Sequence, residues 1–462
     1  MPAKKRKRTT RPRTGSNAES VSVPADSVST ESEQIQWRWW IVISSLVGLS
    51  LIILFLSWIK FFDLVGLDRR FQDLLISYVG TTVSKQFDSR VKLILVDKSQ
   101  QPNPPFGKAD PSHRKYHADL IRLLTRAGAK VIVFDVEFET SSPDDQNFAQ
   151  AIQEAEKAGT RIIVGGFLDP GKFEPQMGAT LKAAIKDHWG IVDGGTIKKS
   201  DARFIRLAAE AGKGEFNGFD EQPVIPSLAL QAVRMLRYPN DVTSVWSSPL
   251  ASKVLLRSGG AGGRLLDSIP VNREMELLVD LPGRDEIPKK SYQDVLAHPE
   301  DYAANFKDNV LVIGYQDGDV LPLSDSDRNP RYGSEMHATA ISTILGEQYL
   351  RTAPVLYHYL AILFLIALTA CLQIRFSKLM GQKLTIPLPI GLPSPFDKIT
   401  IPTAIVVISF AYILIAVLAF KLGHIVFEMS YHLAALILTY FLFVFCRSVF
   451  TRADERKARN AE

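Results

Sequence analysis

The chain has 462 residues, a formal net charge of +5, and 46% hydrophobic and 22% charged residues. These averages are close to those of soluble proteins, but they conceal a division, because the apolar residues concentrate near the two ends. The small basic excess lies beside the apolar segments and does not favour nucleic-acid binding. Cys371 and Cys446 both fall in apolar segments, so the middle of the chain has no disulfide and no Cys/His spacing typical of zinc. We predict no metal and no cofactor.

Four apolar segments are long enough to cross a bilayer. The run Trp39–Ile59 carries no charge and is too long, and begins too late, for a signal peptide, so we predict a transmembrane helix over 37–60. Three further spans are predicted at 355–374, 400–420 and 429–446. The connection between the last two is short, so they should form a helical hairpin.

Basic residues indicate the orientation of these spans. They precede the first span, follow the second and follow the fourth, as in Lys4–Arg13, Arg375, Lys378, Arg447 and Arg452. Four crossings place all three basic segments on one side. The positive-inside rule then predicts cytoplasmic termini and an extracytoplasmic segment over 61–354.

The two terminal tails are predicted from their composition. Residues 1–36 have no apolar periodicity, so we expect a disordered, basic, cytoplasmic tail. The tract Lys4–Arg13 has two interpretations, a nucleic-acid or nuclear-import arm and a topology-fixing segment that touches anionic membrane lipid, and we favour the second. Residues 447–462 are predicted to form a short basic cytoplasmic tail.

The segment 61–354 alternates buried strands with amphipathic helices. The predicted strands are Val91–Asp97, Lys130–Val136, Arg161–Gly165, Glu276–Leu281 and Asn309–Tyr315. The predicted helices are His113–Ala127, Asp145–Ala158, Pro226–Leu236 and Gly333–Leu350. Continuous apolar strands separated by helices are typical of a mostly parallel sheet with helices on both faces. We therefore predict an α/β extracytoplasmic domain plus four transmembrane α-helices.

Several sequence stretches resemble those of one known family. They include LDRRFQDL at 67–74, LILVDKS at 93–99, FKDNVLVIG at 306–314 and GSEMHATAISTIL at 333–345. Together they are similar to CHASE type two domains, which are extracellular sensor domains of bacterial receptors. The resemblance implies a sensor in the bacterial inner membrane. Relatives often carry a kinase or cyclase after the last span, but the segment after Cys446 is too short for one, so we expect no C-terminal output domain.

Acidic residues follow two of the predicted strands, where parallel sheets bind their ligands. The candidate ligand-binding residues are Asp97, Asp135, Glu137, Asp144 and Asp145. They would suit a cation or a cationic ligand. The alternative is that Asp97 and Asp135 cap loops and helices by satisfying backbone donors.

The resemblance supplies a second group of candidates, with structural or sensing roles. These family-motif residues are Arg114, Gly314, Gly333, Glu335 and His337. Glu335 and His337 are two residues apart, which does not place them on one helical face, so they are not a predicted metal pair. We expect His337 to be a buried packing or hydrogen-bonding residue.

Three ionisable residues lie in or beside the predicted spans, namely His358, Glu428 and His432. Such residues are functional candidates by default. Because they are near the ends of the spans, we favour anchoring of the helix ends over proton transfer. The glycine-rich stretch SGGAGG at 258–263 lacks the lysine of a phosphate-binding loop and is predicted to be a surface hairpin.

The leading functional hypothesis is a stand-alone transmembrane sensor without enzymatic activity. Its outer domain would bind a ligand or partner and relay the event through the helices to a separate effector protein. The alternative is a structural or accessory subunit of a membrane assembly, with the outer domain as a docking surface. An enzyme is the third option, but no catalytic residues emerge. Expected partners are membrane lipid, an effector protein and a second copy in a homodimer, and not nucleic acid.

Overall fold

A computed structural model describes most of the chain. The described residues are 26–59, 61–64, 67–75, 87–96, 114–168, 174–192, 204–210, 221–248, 252–260, 262–272, 275–279, 286–316, 320–321, 331–347, 349–376, 385–387 and 398–461. The basic tract Lys4–Arg13 lies outside this set.

Thirteen helices and nineteen strands occur in the described residues. The helices are α1 (Asp26–Trp58), α2 (Phe61–Leu64), α3 (Leu67–Leu74), α4 (Arg114–Arg126), α5 (Asp145–Lys157), α6 (Ala179–Ile185), α7 (Leu228–Arg237), α8 (Tyr292–Ala297), α9 (Pro299–Phe306), α10 (Gly333–Leu345), α11 (Val355–Phe376), α12 (Ile401–Gly423) and α13 (Met429–Ala461). The strands are β1 (Val91–Val96), β2 (Val131–Asp135), β3 (Arg161–Gly166), β4 (Trp189–Ile191), β5 (Phe204–Arg206), β6 (Ala208–Glu210), β7 (Gln222–Pro226), β8 (Thr243–Ser248), β9 (Lys253–Ser258), β10 (Leu265–Pro270), β11 (Glu276–Leu278), β12 (Lys289–Ser291), β13 (Val310–Tyr315), β14 (Val320–Leu321), β15 (Arg331–Tyr332), β16 (Arg351–Thr352), β17 (Thr385–Pro387), β18 (Lys398–Thr400) and β19 (Ile425–Val426).

A six-stranded parallel sheet forms the centre of the α/β domain, in the order β12-β1-β13-β2-β3-β4. Four of the five strands predicted from the sequence belong to this sheet, and the α/β fold class is confirmed. Strand β13, although late in the chain, lies between β1 and β2. This arrangement brings the ends of three apolar strands together at the middle of one sheet edge.

Both faces of the parallel sheet are buried, which explains why its strands are apolar throughout. Leu93 and Leu95 point to one face, where they pack with α7 and α10. Ile94 and Val96 point to the other, where they pack with α4, α5, α6, α8 and α9. Burial of this kind contributes about 25 cal/mol for each Å² of apolar surface removed from water.

A second sheet was not predicted from the sequence. Five antiparallel strands, in the order β10-β9-β8-β7-β6, contribute Val245, Val254 and Ile269 to the core that α7 and α10 share with the parallel sheet. The prediction that β11 belongs to the main sheet was wrong, because β11 pairs with β5 in a separate two-stranded sheet. The SGGAGG stretch lies where β9 turns into β10, and three of its glycines have positive φ angles.

Four helices, α1, α11, α12 and α13, are long and apolar enough to cross a membrane, and each covers one predicted span. Two of them are longer than predicted. Helix α1 begins at Asp26, so residues 26–36 are helical where disorder was expected, and α13 continues through the basic tail to Ala461. Helix periodicity is hard to detect in such polar extensions, because no apolar face marks them.

Candidate functional site

The carboxyl edge of the parallel sheet brings together the ends of β1, β13 and β2. Asp135 is the last residue of β2 and lies opposite Gly314 of β13 in the ladder. Asp97 follows β1 in the sequence but lies outside the described residues. Open parallel sheets bind ligands at this edge, so Asp135 and Gly314 mark the position of the candidate site.

Helix α10, whose first residue is Gly333, places its first turn directly on this edge. A Cβ atom added to Gly314 would overlap the Cβ atom of Ser334 and would lie 3.4 Å from Oδ2 of Asp135. Position 314 therefore needs glycine, because a side chain there would keep the helix away from the strand. The partial positive charge of the α10 N-terminus is thereby held beside the carboxylate of Asp135.

His337 is the second titratable group at this edge. Its Nε2 atom lies 3.7 Å from Oδ1 of Asp135, which is too long for a hydrogen bond but close enough for electrostatic attraction when the imidazole is protonated. The side chain is 12% exposed. Its Nδ1 atom is buried and has no hydrogen-bond partner among the residues that the structure describes. Asp135 and His337 are thus neighbouring titratable groups at this edge of the sheet.

Glu335 has a different role from His337, although only one residue separates them. Its Oε1 forms an ion pair with Lys289 of β12, and its Oε2 accepts a hydrogen bond of 3.2 Å from the backbone N–H of Tyr332. These contacts fix the start of α10 and tie it to the edge strand of the sheet. Glu335 therefore positions the helix, whereas His337 faces the site.

Arg114 and Asp145, two separately predicted site residues, form a buried ion pair with each other. Arg114 also donates to the carbonyl of Thr140 and lies over the ring of Phe138, 5.5 Å from its centroid. Burial lowers the pKa of the Arg114 guanidinium to about 10, which leaves it protonated at neutral pH. Because Arg114 neutralises Asp145, this carboxylate holds α4 and α5 together rather than facing a ligand.

The other two predicted acidic residues, Glu137 and Asp144, take no part in the Arg114–Asp145 ion pair. Glu137 is exposed just beyond β2, and burial together with the charge of Glu137 raises the pKa of Tyr315 at the end of β13. Asp144 immediately precedes α5, and its carbonyl accepts the N–H of Phe148. Glu137 therefore belongs to the same edge as Asp135, while Asp144 starts a helix.

A buried aromatic cluster beneath this edge was not predicted. Nδ1 of His117 lies 2.8 Å from the hydroxyl of Tyr292, and both side chains are buried. The rings of Phe134, Phe138 and Phe148 surround the imidazole at 5.3 to 6.2 Å. Burial raises the pKa of Tyr292 well above its usual value, so its hydroxyl stays neutral. Helical periodicity predicts that His117 is buried, but its partner is distant in sequence.

The opposite end of the domain is joined to the membrane helices by a short parallel ladder, which we call the junction. Strand β16, just before α11, pairs with β19, which lies between α12 and α13. The N–H of Arg351 donates to the carbonyl of His424, and that of Ala353 donates to the carbonyl of Val426. A buried apolar cluster surrounds this ladder and includes Leu75, Leu278, Leu350, Phe420 and Met429.

A polar cluster lies between the spans just inside the junction, with three buried members and two, Tyr412 and Glu428, that are partly exposed. We call it the histidine cluster, and its members are Ser57, His358, Tyr412, Glu428 and His432. Nε2 of His358 lies 2.8 Å from Oγ of Ser57 and 3.4 Å from Oε2 of Glu428. His358 and His432 are 5% and 0% exposed. All three predicted residues lie at helix ends, and they also contact one another between the helices. Their anchoring at the membrane interface stays a prediction.

The far ends of α1 and α13 are held together by a separate contact. Arg38 and Asp454 form an ion pair, and Trp37 packs edge-on against Phe450 with ring centroids 5.7 Å apart. The guanidinium of Arg38 lies over both rings. Helix α13 therefore leaves the bundle in a fixed direction, with Arg452, Arg456 and Arg459 exposed beyond this contact.

These features define a class of protein, a membrane protein whose α/β sensor-type domain is inserted between the first and second spans. The model of the CHASE2 domain matches residues 43–371, and the chain belongs to this family of sensor domains. The match extends from α1 through the domain into α11, so it includes β16 of the junction but ends before β19. Comparisons with curated proteins and with solved structures gave no match.

Proposed function

We propose that this protein is a stand-alone transmembrane sensor of the bacterial inner membrane. Its α/β domain would lie on the extracytoplasmic side and both termini in the cytoplasm, as the basic flanks of the spans favour. A ligand or partner would bind at the edge formed by Asp135, Gly314 and His337. The membrane helices would then carry the change to a separate effector protein.

One observation carries this proposal: α10 connects the candidate site to the junction. Its first turn lies against Asp135, and its last residue, Leu345, lies a few residues before β16. A helix of 13 residues is about 20 Å long. Because a helix is stiff, a displacement at one end reaches the other.

Contacts at the C-terminus of α10 would pass such a displacement on to neighbouring elements of the domain. Arg237 donates to the carbonyl of Ile344 at 2.9 Å and also pairs with Asp267 of the antiparallel sheet. Oγ of Ser342 accepts the N–H of Asp88, which precedes β1. A ligand can move α10 from one position to another only if it binds the protein with different affinities in the two positions.

The effector would dock where the chain emerges on the other side of the membrane. The exposed arginines of the α13 extension are available to an acidic protein segment or to anionic lipid. A homodimer would place two such extensions side by side. The accessory-subunit hypothesis differs in one measurable respect, because it requires fixed, stoichiometric partners after purification in mild detergent.

The test uses full-length protein in nanodiscs and its Asp135→Asn variant. We expect fractions of periplasmic extract that contain the ligand to raise the unfolding temperature of the wild type and to slow hydrogen exchange in residues 351–353. Asp135→Asn should lose both effects, while the exposed control Asp241→Asn should keep them. A ligand that stabilises both variants equally would place the site elsewhere. A stabilising ligand that leaves exchange at the junction unchanged would contradict the relay.

A further inference from the structure

The histidine cluster joins all four membrane helices at one level. Ser57 comes from α1, His358 from α11, Tyr412 from α12 and His432 from α13, and Glu428 immediately precedes α13. Ionisable groups buried between spans are costly, so their retention calls for a functional explanation. The cluster is separate from the ligand edge of the α/β domain, which lies beyond the other end of α10.

The partners of His432 fix its protonation state. Its Nε2 lies 3.2 Å from the carbonyl oxygen of His358, which can only accept a hydrogen bond, so Nε2 carries the hydrogen. Its Nδ1 is hydrogen-bonded to the hydroxyl of Tyr412, which can donate. The neutral imidazole therefore satisfies both contacts, and His432 acts as a structural link between three helices.

His358 is in a different position, because its Nε2 faces a carboxylate as well as a hydroxyl. With the hydrogen of the neutral ring on Nδ1, Nε2 accepts the hydrogen bond of the Ser57 hydroxyl, at 2.8 Å. A protonated ring would gain a charge-assisted interaction with Glu428, whose Oε2 lies 3.4 Å from the same atom. Imidazole is the side chain whose charge ordinarily changes between pH 5 and 8.

The other titratable groups around the cluster are already engaged elsewhere. Oδ1 of Asp68, from α3, accepts the N–H of Ser430 at 2.8 Å. The hydroxyl of Tyr431 accepts the N–H of Phe62 at 3.0 Å, and the ring of Tyr359 lies 5.6 Å from that of His358. Glu428 is the acidic group that contacts the His358 ring, with Oε2 3.4 Å from Nε2, and the buried carboxylate of Asp68 acts electrostatically on Tyr412 of the cluster.

We propose that His358 binds a proton from the side of the membrane that carries the α/β domain, and that this proton strengthens the junction. The ion pair His358–Glu428 and the ladder β16–β19 connect the same two segments of the chain. His358 follows β16, and Glu428 follows β19 by two residues. Protonation thus adds a second connection beside the ladder, and loss of the proton removes it. The inference does not need a ligand at Asp135.

The sign of the pH dependence follows from this arrangement. His358 gains its partner in the protonated form, so the added protection of the junction is present at low pH and is lost as the pH rises. We expect residues 424–428 of full-length protein in phosphatidylcholine nanodiscs to exchange amide hydrogens more slowly at pH 5.5 than at pH 8. Rates are corrected for the intrinsic pH dependence of exchange.

Four variants test whether His358 is the group that binds the proton. His358→Gln should abolish the pH transition, whereas the exposed control His298→Gln and the neutral-link variant His432→Gln should retain it. Glu428→Gln should weaken proton binding about tenfold, which lowers the midpoint by about one pH unit. A transition that survives in His358→Gln, or that His432→Gln alone removes, would overturn the proposal. If His358→Gln does not fold, an unchanged midpoint in Glu428→Gln would overturn it instead.

Discussion

In the α/β domain two buried carboxylates are each matched by a cation, Asp145 by Arg114 and Glu335 by Lys289. The histidine cluster, by contrast, combines neutral hydrogen-bonding side chains with one acid, Glu428, whose side chain is 34% exposed. A matched pair holds its elements in one arrangement. A cluster with a titratable member can have two arrangements of similar free energy. The comparison separates the α/β domain, with its matched ion pairs, from the junction, for which we propose a proton-dependent contact.

The largest expected effect comes from breaking the Arg114–Asp145 pair. Asp145→Asn leaves the guanidinium buried without its counter-charge, so we expect the free energy of unfolding to fall by about 3–5 kcal/mol. Chemical unfolding of the full-length protein in detergent measures this change. The double variant Arg114→Leu with Asp145→Leu should be far less destabilised, because apolar side chains need no counter-charge.

The matched control for this prediction is Glu154→Gln, which removes an acid from an exposed ion pair with Arg122. Surface pairs contribute little to stability because solvent screens them, so this variant should unfold close to the wild type. Equal losses of unfolding free energy in Asp145→Asn and Glu154→Gln would show that the buried pair stabilises the fold no more than an exposed pair does.

The second prediction concerns the contact between Gly314 and α10. Gly314→Ala introduces a Cβ atom into the space of Ser334, and overpacking of this kind costs about 1–3 kcal/mol. The added variant Ser334→Gly should restore part of the lost stability, because it removes the opposing Cβ. The unfolding midpoint of the single and double variants measures both effects. No rescue by Ser334→Gly would contradict the close approach of α10 to β13.

The third prediction tests the junction alone. Ala353→Pro removes the N–H that donates to the carbonyl of Val426, a hydrogen bond of 2.9 Å with a net contribution of about 1 kcal/mol. We expect faster hydrogen exchange in residues 424–427 with unchanged exchange in β1 and β13. Ala353→Gly, which keeps this N–H, is the control for loss of the alanine side chain. Faster exchange throughout the parallel sheet would show that junction and domain unfold together.

Sequence patterns predicted the parallel sheet and the four membrane helices better than the rest of the α/β domain. The strands β1, β2, β3 and β13 are continuous apolar runs, and local composition is enough to predict such runs. The five-stranded antiparallel sheet has half-buried strands of mixed composition, such as Thr243–Ser248, that give no clear period. Strand order is also nonlocal, so β11 was placed in the wrong sheet.

The candidate site was likewise only partly predictable from the sequence. Topology rules placed Asp135 at a sheet edge, and the family motif marked Gly314 and His337 as candidates. Their proximity could not be predicted, because β13 and α10 reach β2 from a distant part of the chain. The pairing of Arg114 with Asp145 and the histidine cluster depend in the same way on how helices pack. Residue spacing along the chain does not contain that information.

The smallest effect is expected at Asp88, where the domain meets the C-terminus of α10. Burial alone would raise the pKa of this carboxyl, but hydrogen bonds and charge from Arg90 outweigh it and lower the pKa below 3.8. A lowered folded-state pKa means that Asp88 stabilises the fold above the unfolded pKa, and that this contribution is lost as the pH falls through the folded pKa. Because Arg90 is half exposed, the contribution is about 0.5 kcal/mol.

Asp88→Asn should therefore unfold slightly more easily than the wild type at pH 7 and equally easily near pH 2. Unfolding of both proteins across this range measures the difference. This pH dependence lies in the acid range and belongs to a fixed pair in the domain, whereas that of the histidine cluster is expected between pH 5.5 and 8. A single transition shared by both regions would contradict this prediction, because it would mean that one protonation event controls both the domain and the junction.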